Sequence, residues 1–157
     1  MSLGLPNPDC TSRQVQAAVS LLALNNEVDS RGAVFTRREV VDFILDLIGY
    51  TEDQPLHEKR LLEPSFGGGD FLLPIIERLL GAWRAAKPNG SALDDLANAV
   101  SAVELHHETF HNTYTAVFSL LKRQGIATNA ATALTDRWLS QGDFLLTPLD
   151  EKFDFVA

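Results

Sequence analysis

The stretch Leu61-Leu62-Glu63-Pro64-Ser65-Phe66-Gly67-Gly68-Gly69-Asp70-Phe71 constrains this chain more than any other. Two apolar residues run into an acid, a glycine-rich turn follows, and an apolar helical pattern starts at once. Glycine accepts positive φ and lets a ligand come close to the backbone. The free N–H groups at the start of the next helix then face whatever sits in the turn. The segment predicts a first strand at about 60–63, a tight turn, and a first helix from Asp70 to about Ala86, the opening unit of a nucleotide-type α/β fold. The order Glu-x-x-x-Gly-x-Gly is neither the dinucleotide fingerprint Gly-x-Gly-x-x-Gly nor the phosphate loop ending in Gly-Lys-Ser/Thr. An acid at a strand end suits a ligand carrying an amine or a diol better than one carrying phosphates.

The rest of the chain alternates in the same way. Residues 1–10 read as a flexible leader. Thr11-Ser12-Arg13-Gln14 has the form of a capping box and predicts a helix to about Asn26, with Val15, Val19, Leu22 and Leu24 as its apolar residues. Thr36-Arg37-Arg38-Glu39 is a second capping box. It predicts a helix whose core-facing residues are Val40, Phe43, Ile44, Leu47 and Ile48, stopped at Gly49. Residues 87–91 are a loop and 92–98 a short helical insert. Residues 99–105 predict a second strand ending in an acid, and His107 to about Gln124 a helix carrying Phe110, Tyr114, Val117, Phe118 and Leu121. The Ala/Thr/Asn-rich stretch 126–136 gives no clear pattern. A third strand ends near Gly142-Asp143, and Phe153 to Ala157 start a fourth. Strands alternating with helices imply a parallel sheet. Trp83 and Trp138 read as packing residues.

A length of 157 residues with 45% hydrophobic content suits one domain with a sizeable core. The single cysteine, Cys10, excludes an internal disulfide framework and fits a reducing cytoplasm. No apolar run approaches the ~18 residues of a membrane span, so no membrane partner is expected. The net charge of −8 and the sparse basic pairs Arg37-Arg38 and Lys122-Arg123 do not make a basic face for DNA. Any nucleic acid would be held mainly by something outside these residues.

Parallel α/β sheets bind ligands beyond the carboxyl ends of their strands. Three successive predicted strands end in Glu63, Glu104 and Asp143. Neighbouring strands lie about 4.8 Å apart, so the three carboxylates would line one crevice. An acid after the second strand can accept from both hydroxyls of a ribose. One after the third can accept from the exocyclic amine of adenine, with Phe144 packed against the base.

With these blocks in this order, the chain resembles the N-terminal, cofactor-binding part of an adenine-specific (N6) DNA methyltransferase of the restriction–modification type. The resemblance covers roughly residues 32–157 and implies a partial Rossmann-like, class I methyltransferase fold: a parallel sheet flanked by helices, with residues 1–31 as an N-terminal leader and helical extension. It implies S-adenosylmethionine as the cofactor. Gly32-Ala33-Val34-Phe35-Thr36 is similar to the block whose Thr helps hold the methionine carboxylate. Glu63, Pro64, Ser65, Gly67, Gly69 and Phe71 match the Asp/Glu-Pro-x-x-Gly-x-Gly-x-Phe block around the methionine part. Glu104 with Leu105 matches the ribose acid, and Asp143-Phe144 the adenine-binding pair. The family departs from this chain after Thr36, where it usually has Pro and this chain has Arg37-Arg38. The Asn-Pro-Pro-Tyr block that reads a flipped adenine occurs nowhere in these residues. On the resemblance, the parent protein is the enzyme, this piece lacks the catalytic motif and is inactive alone, DNA is bound by missing parts, and an exposed sheet edge allows self-association.

Other readings stay open. A protein-glutamine or RNA methyltransferase would share these cofactor motifs, and a relic without catalysis could keep them. His107-Glu108-Thr109-Phe110-His111 is a literal His-Glu-x-x-His zinc-peptidase signature. It lacks the Gly-x-x-His continuation and falls on what should be a sheet-covering helix, so it reads as an accidental match, and no metal ligand is assigned.

Overall fold

The computed structural model describes residues 36–87, 89–148 and 152–157. The helix expected over 11–26, the leader and residues 32–35 lie outside the described residues. Chain order is α1 (Arg38–Leu47), a 3-10 turn (Leu56–Glu58), β1 (Leu61–Glu63), α2 (Leu72–Ala86), α3 (Ala92–Leu96), β2 (Val100–Glu104), α4 (His107–Arg123), α5 (Thr128–Trp138), β3 (Leu139–Gln141), a second 3-10 turn (Phe144–Leu146) and β4 (Phe155–Val156). The strands form one four-stranded sheet in the order β3-β2-β1-β4, and every pairing is parallel. Leu61 pairs with Val100 on one side and Phe155 on the other, so β1 is central. This is the parallel sheet flanked by helices that the alternating pattern predicts. The sheet departs from sequence order beside β1, where the chain returns from β3 to lay down β4. Ligand crevices form at such reversals.

Burial explains why short strands suffice. All three residues of β1 are buried, as expected of a strand covered on both faces. The crossover helices α2 and α4 pack on each other, and α5 packs on α4, α3 and the β2–β3 edge. Leu72, Ile75, Ile76, Leu79 and Leu80 supply the buried stripe of α2. Pro74 is accommodated because it falls in the first turn, where no intrahelical N–H is needed. The pattern-poor stretch 126–136 is mostly α5, which buries Ala131, Leu134 and Thr135 and ends on Trp138. Trp138 is fully buried, and its indole N–H donates to Leu96 O at 2.9 Å; the Trp83 indole N–H donates to Asp95 Oδ2 at 2.9 Å. Both tryptophans are packing residues.

The helix α1 corrects two expectations. Its N-cap is Arg37 with no side-chain cap, so Glu39 is the second helical residue and the capping box is out of register. The Thr36 amide donates instead to Asp70 Oδ2 at 2.8 Å, across to the glycine turn. The helix also faces the other way. Val41 and Leu45 are its buried residues, whereas Val40, Phe43 and Leu47 are exposed, Leu47 by 74%. The cause is Arg78 on α2. Its guanidinium donates to Asp42 Oδ1 (3.1 Å), the Asp42 carbonyl (3.0 Å), Asp46 Oδ1 (2.6 Å) and the Tyr50 carbonyl (3.0 Å). A half-buried cation needs those acceptors, so the acidic side of α1 turns toward α2 and the apolar stripe turns out. Gly49 does end the helix, with φ +77 and its N–H on Asp46 O at 3.0 Å. No helix among the described residues is long and apolar enough to cross a membrane.

Candidate functional site

The adjacent parallel strands β1 and β2 each end in a buried acid. Glu63 and Glu104 close their strands with 5% and 3% of their surface exposed. Between them and α2 runs the turn Pro64–Phe71. Gly67 (φ +48) and Gly69 (φ +89) adopt conformations that side chains with a Cβ rarely take. Phe66 anchors the turn from below: it is buried, its N–H donates to Val103 O at 3.1 Å, and its ring lies 5.9 Å from that of Phe110. The Gly69 N–H returns to Phe66 O at 2.8 Å, tightening the loop.

Glu104 ties the turn to the second strand. Its Oε2 accepts from the Gly67 N–H at 2.9 Å and its Oε1 from the His106 N–H at 2.8 Å. Each oxygen keeps a further lone pair, so the carboxylate can still accept two hydroxyl donors side by side. Glu63 is differently placed. Its Oε1 accepts only a long bond, 3.2 Å, from the Ser65 N–H. Burial pushes its carboxyl up to about 7 from the usual 4.5; the Ser65 bond opposes this, and the neighbouring Glu104 charge adds to it. A cation against Glu63 would restore its ionised form, which makes the position suited to an ammonium group.

The third acid sits slightly elsewhere than the sequence suggests. β3 stops at Gln141, so Asp143 lies two residues past the strand rather than at its end. The Gly142 N–H donates to Glu104 O at 2.9 Å, and this bond holds the segment beside β2. Asp143 caps the 3-10 turn that follows, accepting from the Leu145 N–H at 2.9 Å. Phe144 is half-buried in that turn and Leu145 is 84% exposed. Leu105 is half-buried just past β2, and Phe71 packs partly against the core at the N-cap of α2. Thr36 reaches the same region through its amide bond to Asp70. The structure therefore gathers Thr36, Glu63, Pro64, Ser65, Gly67, Gly69, Phe71, Glu104 and Leu105 around one turn, with Asp143 and Phe144 on the flanking loop.

Two residues of this assembly escape a reading of the sequence. Asp70 reads as a helix start but spends its carboxylate on the Thr36 amide. Thr113 of α4 is 2% exposed and donates to the Gly67 carbonyl at 2.7 Å. A polar residue inside the Phe110–Val117 apolar stripe was the available signal. His107 and His111, by contrast, are exposed on α4 with parallel rings 6.4 Å apart. Among the described residues no group of three or more His, Cys, Asp or Glu side chains is arranged to hold a metal ion.

A Cβ at Gly69 would lie 3.1 Å from Thr113 Cγ2 and 3.3 Å from Leu73 Cγ; at Gly67 it would meet nothing within 4 Å. Gly69→Ala should therefore cost more than Gly67→Ala: about 2–3 kcal/mol of unfolding free energy from strain plus contact, against about 1 kcal/mol from positive φ alone. Urea unfolding of the two variants in parallel checks the order.

No protein-family model matches the chain, and no solved structure matches it. Curated proteins do. The chain is 72% identical over 143 residues to the type II methyltransferase M.PaeR7I of Pseudomonas aeruginosa, a match covering 91% of this chain and 25% of that protein. It is 48% identical over 133 residues to M.XhoI of Xanthomonas vasicola (82% and 24%) and 38% identical over 132 residues to M.BstVI of Geobacillus stearothermophilus (80% and 23%), both type II methyltransferases. The chain spans about a quarter of the length of the curated relatives it matches. With such identities running across four-fifths or more of its length, this chain is similar to a segment of type II methyltransferases.

Proposed function

We propose that this chain is the S-adenosylmethionine-binding portion of a site-specific DNA adenine-N6 methyltransferase of a restriction–modification system. The observation that carries the reading is the pair of buried carboxylates at adjacent parallel strand ends, with Glu104 bonded to the positive-φ glycine turn between them. The donor chemistry fits the cofactor. Glu63 would hold the amino group of its methionine part, and Glu104 both ribose hydroxyls. Asp143 would accept from the adenine amine, with Phe144 against the base. Thr36, beside the turn, would help hold the methionine carboxylate, and Pro64, Ser65, Gly67, Gly69, Phe71 and Leu105 would shape the walls.

S-adenosylmethionine, when bound, supplies a methyl group on a sulfonium that already activates it for transfer. These residues therefore have to bind and orient, and they supply no acid, base or nucleophile. No catalytic residue is assigned among them. DNA is held by parts of the parent protein beyond this segment, in keeping with the net charge of −8.

The test is transfer of labelled methyl from S-adenosylmethionine to DNA by a protein containing this segment, followed by digestion to nucleosides. Label in N6-methyladenine is the expected result. Label confined to cytosine, to RNA or to protein would overturn the adenine reading.

A further inference from the structure

Thr113 treats its hydroxyl unlike three other threonines on α4 and α5. Thr115, Thr132 and Thr135 each donate to the carbonyl four residues back in their own helix, at 3.0, 3.1 and 2.7 Å. That is the usual resting place of a helical hydroxyl. Thr113 reaches out of α4 instead, to the carbonyl of Gly67, at 2.7 Å. It does so from a buried position, where a hydroxyl must be paired. The same residue is gripped at its other end: the Gly67 N–H is held by Glu104 Oε2. Its backbone is thus fixed on both sides of a Cα with φ +48, and neither bond belongs to the helix or sheet ladder. The Thr113 methyl covers Gly69 as well, standing where a Cβ on that residue would come within 3.1 Å.

We infer that Thr113 is a positioning residue of the cofactor pocket, its hydroxyl holding the glycine turn in the conformation that leaves Glu104 aimed at the ribose. This rests on the cofactor reading above. Thr113 does not touch the ligand on this account. It acts through Gly67, because without the hydroxyl the turn gains conformers in which the Gly67 N–H leaves Glu104 and the carboxylate loses its orientation. Binding then carries the cost of selecting the competent turn.

The experiment is a calorimetric titration of S-adenosylmethionine into the wild-type chain, Thr113→Val and Thr113→Ser, each at a temperature well below its own thermal midpoint. Valine keeps the shape and loses the hydroxyl; serine keeps the hydroxyl and loses the methyl. The expected result is a Kd about tenfold weaker for Thr113→Val, the scale of one hydrogen bond, and within about threefold of wild type for Thr113→Ser. A Thr113→Val variant that melts earlier but binds with the wild-type Kd would overturn the inference, since Thr113 would then be structural only. A Thr113→Ser variant weakened tenfold would overturn it too, because packing by the methyl would be responsible. If Thr113→Val does not fold, the Thr113→Ser titration still decides by the same limit. Absence of binding by the folded wild-type chain would instead strike the cofactor reading itself, a distinguishable failure.

Discussion

Replacing Glu104 by alanine should weaken S-adenosylmethionine binding by about 100-fold while leaving the chain folded. The size follows from the role proposed for the carboxylate. Two hydroxyl donors on an ionised acceptor contribute about 1.5 kcal/mol or more each, and each 1.4 kcal/mol is a factor of ten. Glu104 also holds the Gly67 and His106 N–H groups, so its loss frees the turn as well as the ligand. Glu104→Gln separates the two effects. Its amide oxygen can still accept at one site, but the amide nitrogen then opposes either the Gly67 or the His106 N–H. An intermediate loss, about tenfold, is expected for it. Calorimetric titration of the three proteins checks the order, and equal affinities would remove Glu104 from the pocket.

Glu63 yields the second large effect, and it appears as pH-dependent stability. Its folded-state value of about 7 lies above the ordinary 4.5, so the folded chain holds this proton more tightly than the unfolded one. Below pH 4.5 the carboxyl is protonated in both states, and its contribution is fully present. As pH rises from 4.5 to 7 the unfolded chain releases the proton first and stability falls. Above about pH 7 the buried carboxylate is ionised and the loss is complete, on the order of 3 kcal/mol. Glu63→Gln keeps an acceptor for the Ser65 N–H and carries no charge. It should therefore be more stable than wild type by that amount at pH 8 and indistinguishable from it at pH 4. Urea unfolding at both values checks this. A constant difference across pH would show that Glu63 is not desolvated as the structure has it. A binding site that keeps such an acid gives up stability for function, and on the proposed reading the amino group of the cofactor is what offsets the burial.

Much of this arrangement is legible in the residues alone, for physical reasons that can be named. Leu61-Leu62-Glu63 followed by three glycines leaves few alternatives to strand, turn and helix, and the turn does adopt positive φ at Gly67 and Gly69. Val100–Glu104 and His107–Arg123 fall where their apolar patterns put them, within a residue or two at each end. What escapes is set by tertiary contacts. The apolar stripe of α1 predicts its buried face only if nothing stronger competes. The Arg78 guanidinium does compete, drawing Asp42 and Asp46 to its side of α1 and leaving Phe43 and Leu47 outward. Thr36 could not be recognised as the residue held by Asp70, since the bond spans 34 positions. The α5 segment hides because Ala131, Leu134 and Trp138 are its few strong burial signals among Thr and Asn. Asp143 is displaced by two residues because β3 ends early and a 3-10 turn begins.

On the proposed reading the glycine turn and the two buried acids form a pocket for S-adenosylmethionine. Calorimetric titration of the wild-type chain with S-adenosylmethionine in EDTA tests it most directly, with S-adenosylhomocysteine as competitor. The expected result is saturable one-to-one binding, displaced by the competitor and unaffected by the chelator. A cooperatively folded chain that releases no heat with either ligand would contradict it.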